Sequence, residues 1–339
     1  MVQMKKLLPA MVAALGMMAL ILDAKTGLRG AAEGIEMCVS TVIPALFPFF
    51  VVSGILTASM GAIPLLRPLG RWLKLPDGGE AYLLLGFLGG YPVGARCIAQ
   101  GHQAGILGKT DAERMLGFCS NAGPAFLFGM GAWVFPKMWM CWLLWLIHIL
   151  SALFVGLTAP APSGNTNAVT PKRSVSVTEA MKQAISAMAA VCGWVITMKV
   201  VLVFLERWVL WLLPETARLL LSGLLELTNG VYALKAVSSL SVRFWLFSLF
   251  LSFGGISVLL QTHSVLSGSG LTGRQYFPGK VVQAAMSMLL SGLALPLLQD
   301  GGRMPDWWIF LPAAVLVGIR LFLSVNFKNN SGISRRIHV

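Results

Sequence analysis

Apolar runs separated by short polar punctuation make up nearly the whole chain. Lys5 and Lys6 precede a first run from Leu7 to Leu22. No small-x-small cleavage site follows it, so it reads as an uncleaved first span with its N-terminus inside rather than as a signal peptide. A second run, about Met37 to Leu66, starts beside Glu33 and Glu36 and carries Pro44, Pro48, Gly54 and Gly61. It exceeds the roughly 20 residues a span needs. A kinked span, or a surface helix that turns into a span, is expected. Arg67 to Glu80 is a polar connector with "PDGG" turn chemistry. Residues 81–106, "AYLLLGFLGGYPVGARCIAQGHQAGI", are apolar at both ends, with Gly86, Gly89, Gly90, Pro92 and Gly94 between. Two spans do not fit there; a broken helix or a re-entrant hairpin does. Irregular backbone at membrane depth survives only where protein or a water-filled cavity satisfies it.

In "GKTDAERMLGF", Thr110 is the expected N-cap, with Glu113 completing a capping box. That helix runs into "CSNAGPAFLFGMG", where Ser120, Asn121, Gly123 and Pro124 make a second break. A clean span is expected over about Trp133 to Leu157. Ala159 to Thr178 is rich in Pro, Ser, Thr and Asn, and its Lys172 and Arg173 favour the cytoplasmic side. Spans at about Lys280–Leu298 and Trp307–Val325 follow, the second with Trp307 and Trp308 as interface anchors. The tail from Lys328, with Arg335 and Arg336, is expected on the cytoplasmic side. The chain thus divides into a first membrane half (1–158), a hydrophilic linker (159–182) and a second membrane half (183–339).

The second half repeats the order of features in the first. Glu179–Leu213 parallels Glu36–Leu66. "GLLELTNGVYALKA" (Gly223–Ala236) stands where "GFLGGYPVGARCIA" (Gly86–Ala99) stood, and "FSLFLSFGGISVLL" (Phe247–Leu260) where "RMLGFCSNAGPAFLF" (Arg114–Phe128) stood. The offsets drift through 143, 137 and 132 residues, as a few short deletions would produce. Identity is low, so the weight rests on shared order and paired breaks.

Composition sets the class. Hydrophobic residues are 56% of 339 and charged residues 12%, against about 25% charged in soluble domains. Mean hydropathy is +0.76. Too few charges are present to clothe a soluble globule, so a polytopic, all-α membrane protein is expected. The net charge of +13 comes from bases scattered at the ends of apolar runs, which suits headgroups and cytoplasmic loops rather than nucleic acid. The five cysteines and four histidines show no CxxC or HExxH spacing, so no disulfide framework, metal site or cofactor is implied. No GxSxG, phosphate loop or intramembrane Asp dyad is present, and the chain does not read as an enzyme.

Paired interruptions in two halves point to a transporter binding site. A broken helix exposes N–H groups at one new terminus and C=O groups at the other. The candidate substrate-binding residues are Tyr91, Gly94, Arg96, Ser120, Asn121, Gly123, Pro124, Glu226, Thr228, Asn229, Gly230, Lys235, Ser252, Gly254, Gly255 and Ser257. Small residues also serve plain helix packing, which is the competing reading for any one break. Arg96 and Lys235 fall within about two positions of each other in the aligned halves. They are expected either to face an anionic substrate, with Glu226 tuning or coupling, or simply to be neutralised by Glu226. Lys199 reads as snorkelling, with no role. If Pro124 sits inside a helix, replacing it by Ala gains on the order of 3 kcal/mol.

At these residues the chain resembles a known family. "FPFFVVSGIL" (Phe47–Leu56), "GFLGGYPVGAR" (Gly86–Arg96), "AERMLGFCSNAGPAFLFG" (Ala112–Gly129) and "GLLELTNG" (Gly223–Gly230) look like YlbJ-type sporulation integral membrane proteins, of the nucleoside-recognition or Gate domain group. The resemblance covers about residues 35–300. It implies a bacterial membrane protein, in the cell membrane or the membrane around the forespore. The implied role is movement of dipicolinate, a small aromatic dicarboxylate, during endospore formation. Through related nucleoside transporters it also implies an inverted repeat with re-entrant hairpins. Family members often carry Lys where Arg96 stands; Arg grips carboxylates bidentately and Lys does not. A structural protein of a sporulation complex and a nucleoside-type transporter remain the alternatives. Substrate, coupling ion, direction and oligomeric state, a homo-oligomer included, are left open.

Overall fold

A computed structural model describes residues 2–59, 63–159 and 176–298, with side chains over 10–56, 63–159 and 176–298. Most of the linker, the expected span at Trp307–Val325 and the basic tail lie outside the described residues. Every regular element within them is helical. Helix α1 covers Val2–Leu22, α2 Ala24–Met37 and α3 Ile43–Ser59, and a single π-turn, Cys38–Val42, joins α2 to α3. As far as Ser59, the run expected as a kinked span or as a surface helix turning into a span is therefore one long helix, continuous with α2 and with a bulge in it. Then follow α4 (Arg67–Trp72), α5 (Gly79–Gly89), α6 (Val93–Gln103), α7 (Lys109–Leu116), α8 (Pro124–Val134) and α9 (Met138–Thr158). The second half contains α10 (Val177–Trp208), α11 (Glu215–Leu225), α12 (Leu227–Ala233), α13 (Leu240–Phe253), α14 (Gly255–Leu266) and α15 (Tyr276–Ala294). Among the described residues, five stretches are long and apolar enough to cross a membrane: Ala24–Leu56, Met138–Thr158, Val177–Trp208, Leu240–Leu266 and Tyr276–Leu298.

Local chemistry sets several boundaries differently from the sequence reading. The helix expected to start at Thr110 is capped by Gly108, with no side-chain cap. Glu113 faces away and accepts from the Thr272 amide and hydroxyl and from the Arg274 amide, strapping α7 to the loop before α15. The span expected from Trp133 starts at Met138, because Phe135 and Lys137 are extended and separate α8 from α9. Val177 opens α10, so the last residues assigned to the linker already belong to that helix. Its N-cap is Ser176, whose hydroxyl accepts from the Glu179 amide at 3.2 Å. Asp23 caps α2 through Thr26. The Thr26 hydroxyl chiefly, with the nearby Arg207, holds the Asp23 carboxyl below its usual range.

Helices α2 and α10, one from each half, form a close seam. A Cβ on Gly30 would lie 2.9 Å from Val200 Cα, and one on Gly34 2.9 Å from Ile196 Cα. Small residues at that spacing let the two backbones touch. Ion pairs flank the seam: Lys199–Glu33 at 3.0 Å and Arg207–Asp23 at 2.6 Å. One apolar cluster gathers around Phe50, Leu83, Ile98, Met115 and Phe118, and a second around Leu127, Leu144, Phe244, Phe247 and Phe250. Helix α15 packs against both α9 and α13. Arg114 ties the first cluster together. Its guanidinium donates to the carbonyls of Leu73 (2.6 Å), Gly156 (2.9 Å) and Lys74 (3.2 Å), which lie just past α4 and in the last turn of α9.

Candidate functional site

Both halves make the same close crossing at glycines. In the first, α5 and α6 cross where a Cβ on Gly94 would lie 2.9 Å from Gly86 Cα, with the Cys119 carbonyl wedged onto both. In the second, α11 and α12 cross where a Cβ on Gly230 would lie 2.2 Å from Gly223 Cα, with the Phe250 ring against both. The next break then closes on each crossing. Gly123 meets Gly90 and the Leu88 carbonyl; Gly255 meets the Leu225 carbonyl and the Glu226 amide. Gly254 and Gly255 hold φ of 81° and 80°, a left-handed pair that only glycine adopts readily. These contacts set the two breaks of each half side by side, and the halves meet where a Cβ on Gly254 would lie 3.4 Å from the Tyr91 ring.

One pocket lies where they meet. The space not filled by atoms, its mouth included, is about 490 Å³. Tyr91 lines it from the first break, Ala122 and Gly123 from the second, and Glu226, Leu227 and Thr228 from the third. Val258 and Gln261 of α14 follow the fourth, and Val42, Ala45, Leu46, Phe126, Val191 and Val195 supply an apolar wall. Glu226 is buried and caps α12, its carboxylate accepting from the Asn229 amide at 2.7 Å.

Behind Tyr91 runs a buried polar network. Lys280 donates to the Tyr91 hydroxyl (3.3 Å), the Asn121 side-chain carbonyl (3.2 Å) and that of Gln283 (2.6 Å), and to the Ser120 backbone carbonyl. Asn121 also accepts from the Gln283 amide at 2.9 Å and donates to the Phe118 carbonyl at 2.6 Å. His148 Nε2 accepts from the Ala122 N–H at 3.2 Å. That bond places the ring proton on Nδ1, which donates to Ser252 Oγ at 3.0 Å. The Tyr91 hydroxyl lies 3.3 Å from both the Leu251 and Ser252 carbonyls, to which it donates. Breaks from both halves are therefore joined through side chains as well as backbone.

The structure brings Tyr91, Ser120, Asn121, Gly123, Glu226, Thr228, Ser252, Gly254 and Gly255 together in this region. It does not do so for all the residues the sequence singled out. Gly94 and Gly230 are filled in by their crossings and leave no room for a ligand. Ser257 is fully buried and accepts from Gln261 at 3.0 Å. Arg96 lies outside the pocket; its guanidinium covers the Phe50 ring at 5.4 Å and reaches the Phe50 carbonyl at 3.5 Å. Lys235 is exposed and sits 4.2 Å over the Trp133 ring, so it does not join Arg96. Neither base neutralises Glu226. Lys199 reaches the same turn, bonded at 3.1 Å to Asn229, and it bridges to Glu33 rather than merely snorkelling.

Pro124 corrects a further expectation. It is the first residue of α8, with Gly123 as an extended N-cap, a place where a missing N–H is harmless and a fixed φ helps. Pro124→Ala is therefore expected to lose about 0.4–1 kcal/mol through added freedom of the unfolded chain, rather than gain stability. Thermal unfolding in detergent reads the sign. Lys280, His148, Gln283 and Gln261 escaped the sequence reading. From sequence Lys280 is the edge of a span; the start of α15 at Tyr276 puts it a full turn inside a helix.

No family model matches the chain, and no solved structure does. The sporulation integral membrane protein YlbJ of Bacillus subtilis (strain 168) is 25% identical, the match covering 82% of this chain and 79% of that protein. The blocks that carried the resemblance thus belong to a likeness that runs through both halves. With five helices among the described residues able to cross a bilayer, this is a multi-pass integral membrane protein similar to YlbJ over about four-fifths of its length.

Proposed function

We propose that the protein is a transporter or permeation pathway for a small organic anion of the dipicolinate class, acting during endospore formation. The observation that carries this reading is the convergence of helix starts on one pocket. Helices α6, α8 and α14 each begin within a few residues of the lining residues Tyr91, Gly123 and Val258. A helix start presents free N–H groups and about half a positive charge, which favours an anion without a fixed cation in the lining. The wall formed by Val42, Leu46, Phe126, Val191 and Val195 suits the faces of an aromatic ring.

The paired glycine crossings support two related halves, read as an inverted repeat. Helices α5 and α6 have 11 residues each, about 16 Å of helix, half of a hydrocarbon core of about 30 Å. Arms of that length joined by a tight break fit a hairpin that enters the bilayer and returns; in the second half α11 matches that length with 11 residues and α12 is a shorter arm of 7. The name of the Bacillus subtilis relative supports a setting in sporulation. A nucleoside is the second reading, favoured by Glu226, Thr228 and Gln261 at the pocket, which suit the hydroxyls of a sugar. No catalytic role is proposed.

Uptake of labelled dipicolinate and of labelled nucleosides into proteoliposomes decides among these. Dipicolinate is expected to enter, and excess nucleoside not to compete. Ala45→Phe, which fills the pocket from α3, is expected to abolish uptake in protein that still elutes as a folded species. Nucleoside entry in place of dipicolinate supports the second reading. Entry of neither leaves a scaffold protein.

A further inference from the structure

We infer that Lys280 is the proton-carrying site that couples movement of the organic anion to a proton, an inference that rests on the transport reading above. Lys280 is 1% exposed, and all its hydrogen-bond acceptors are neutral: the Tyr91 hydroxyl, the Ser120 carbonyl, and the side-chain carbonyls of Asn121 and Gln283. The Lys199–Glu33 and Arg207–Asp23 ion pairs lie elsewhere, at the α2–α10 seam. Glu226, the carboxylate of the pocket, is engaged by the Asn229 amide. A buried ammonium held only by dipoles is costly. Two events relieve that cost: arrival of an anion in the neighbouring pocket, or loss of the proton. Anion and proton therefore favour each other's binding, and the linkage is reciprocal.

The geometry also ties the proton to a contact between the halves. Tyr91 lines the pocket, accepts from Lys280, and donates toward the Leu251 and Ser252 carbonyls. When an N–H bond of the ammonium breaks, the electron pair stays on Nζ and the proton passes to water. The neutral amine then offers a lone pair. The Tyr91 hydroxyl turns its proton to that lone pair and releases the two α13 carbonyls. The other titratable groups around Lys280 are His148 of α9, Cys119 after α7, and Tyr276 one turn back on α15, whose ring lies 5.7 Å from Nζ. Helix α13 brings Ser248 and Ser252 to this side, which do not titrate.

The test uses the full chain in proteoliposomes, with labelled dipicolinate outside, a pH dye inside, and the membrane potential clamped at zero with potassium and valinomycin. With the outside one pH unit more acid, the unaltered protein is expected to accumulate dipicolinate up to about tenfold for one proton per anion, and the lumen to acidify with uptake. Lys280→Gln, without a titrating group, and Lys280→Arg, permanently charged, are expected only to equilibrate dipicolinate, without acidifying the lumen. Lys280→Arg decides the matter if the Gln variant fails to fold. Uptake by the unaltered protein without proton movement, or gradient-driven accumulation by a folded Lys280 variant, overturns this inference and leaves the transport reading standing. Absence of dipicolinate uptake by the unaltered protein under any gradient overturns both.

Discussion

Gly86→Ala is expected to prevent the protein from assembling, although alanine is the better helix former by about 1 kcal/mol. A Cβ at Gly86 would stand 1.6 Å from the Cys119 carbonyl oxygen and 2.7 Å from its carbon. Those are backbone atoms, so no rotamer change relieves the clash. The second break would have to lift away from α5. Gly123 would then leave Gly90 and the Leu88 carbonyl, and the pocket wall would open. Overpacking that side chains can absorb costs about 1–3 kcal/mol; here the backbone itself must yield, and a larger loss is expected. Gly129→Ala on α8 is the control, because a Cβ there meets nothing within 4 Å. It is expected to be neutral or stabilising. Yield and elution of the two variants after detergent extraction give the comparison, and Gly86→Ala protein that elutes and melts like the Gly129→Ala variant would contradict the crossing.

Asn121→Ala is expected to lower stability by about 3 kcal/mol, the scale of a lost hydrogen bond to a charged group together with a carbonyl left unpaired. Asn121 is 0% exposed. It gives Lys280 one acceptor, gives Gln283 another bond, and satisfies the Phe118 carbonyl. Alanine removes all three at a position closed to bulk water. Asn121→Asp keeps an oxygen within reach of Lys280 and supplies a counter-charge, so it is expected to melt closer to the unaltered protein than the Ala variant does. Thermal unfolding of the three proteins in one detergent checks the order. An Ala variant that melts with the unaltered protein would remove Asn121 from the network.

The interruptions themselves were legible in the sequence. Gly89, Gly90 and Pro92, Gly123 and Pro124, and Gly254 and Gly255 each stop a helix by local chemistry, and local chemistry is what a sequence displays. The glycine spacing of the crossings was legible as well, though not its purpose; Gly94 and Gly230 read as room for a ligand and are room for another backbone. Charges misled where they depended on distant elements. Lys235 aligned with Arg96, but α12 has only 7 residues, and the 3-10 turn after it carries Lys235 out to Trp133. Lys280 and His148 lie 132 residues apart and share Gln283 through the packing of α15 on α9, a neighbourhood that no local pattern announces. Thr110 and Glu113 made a sound capping box on paper. The strap to Thr272 and Arg274 won because it gives Glu113 more bonds than the cap could.

The seam between α2 and α10 limits how such a molecule can move. Rocking one half over the other as a rigid block would drag Val200 and Ile196 sideways across Gly30 and Gly34, where backbone already touches backbone and the glycines have no side chain to give. The flanking ion pairs, Glu33 with Lys199 and Asp23 with Arg207, would be torn in the same stroke. The long helices thus behave as a fixed chassis. Any movement is left to the short pieces hung on it, and α5 with α6, or α11 with α12, would have to move as one body, since their glycine crossings are at least as close as the seam.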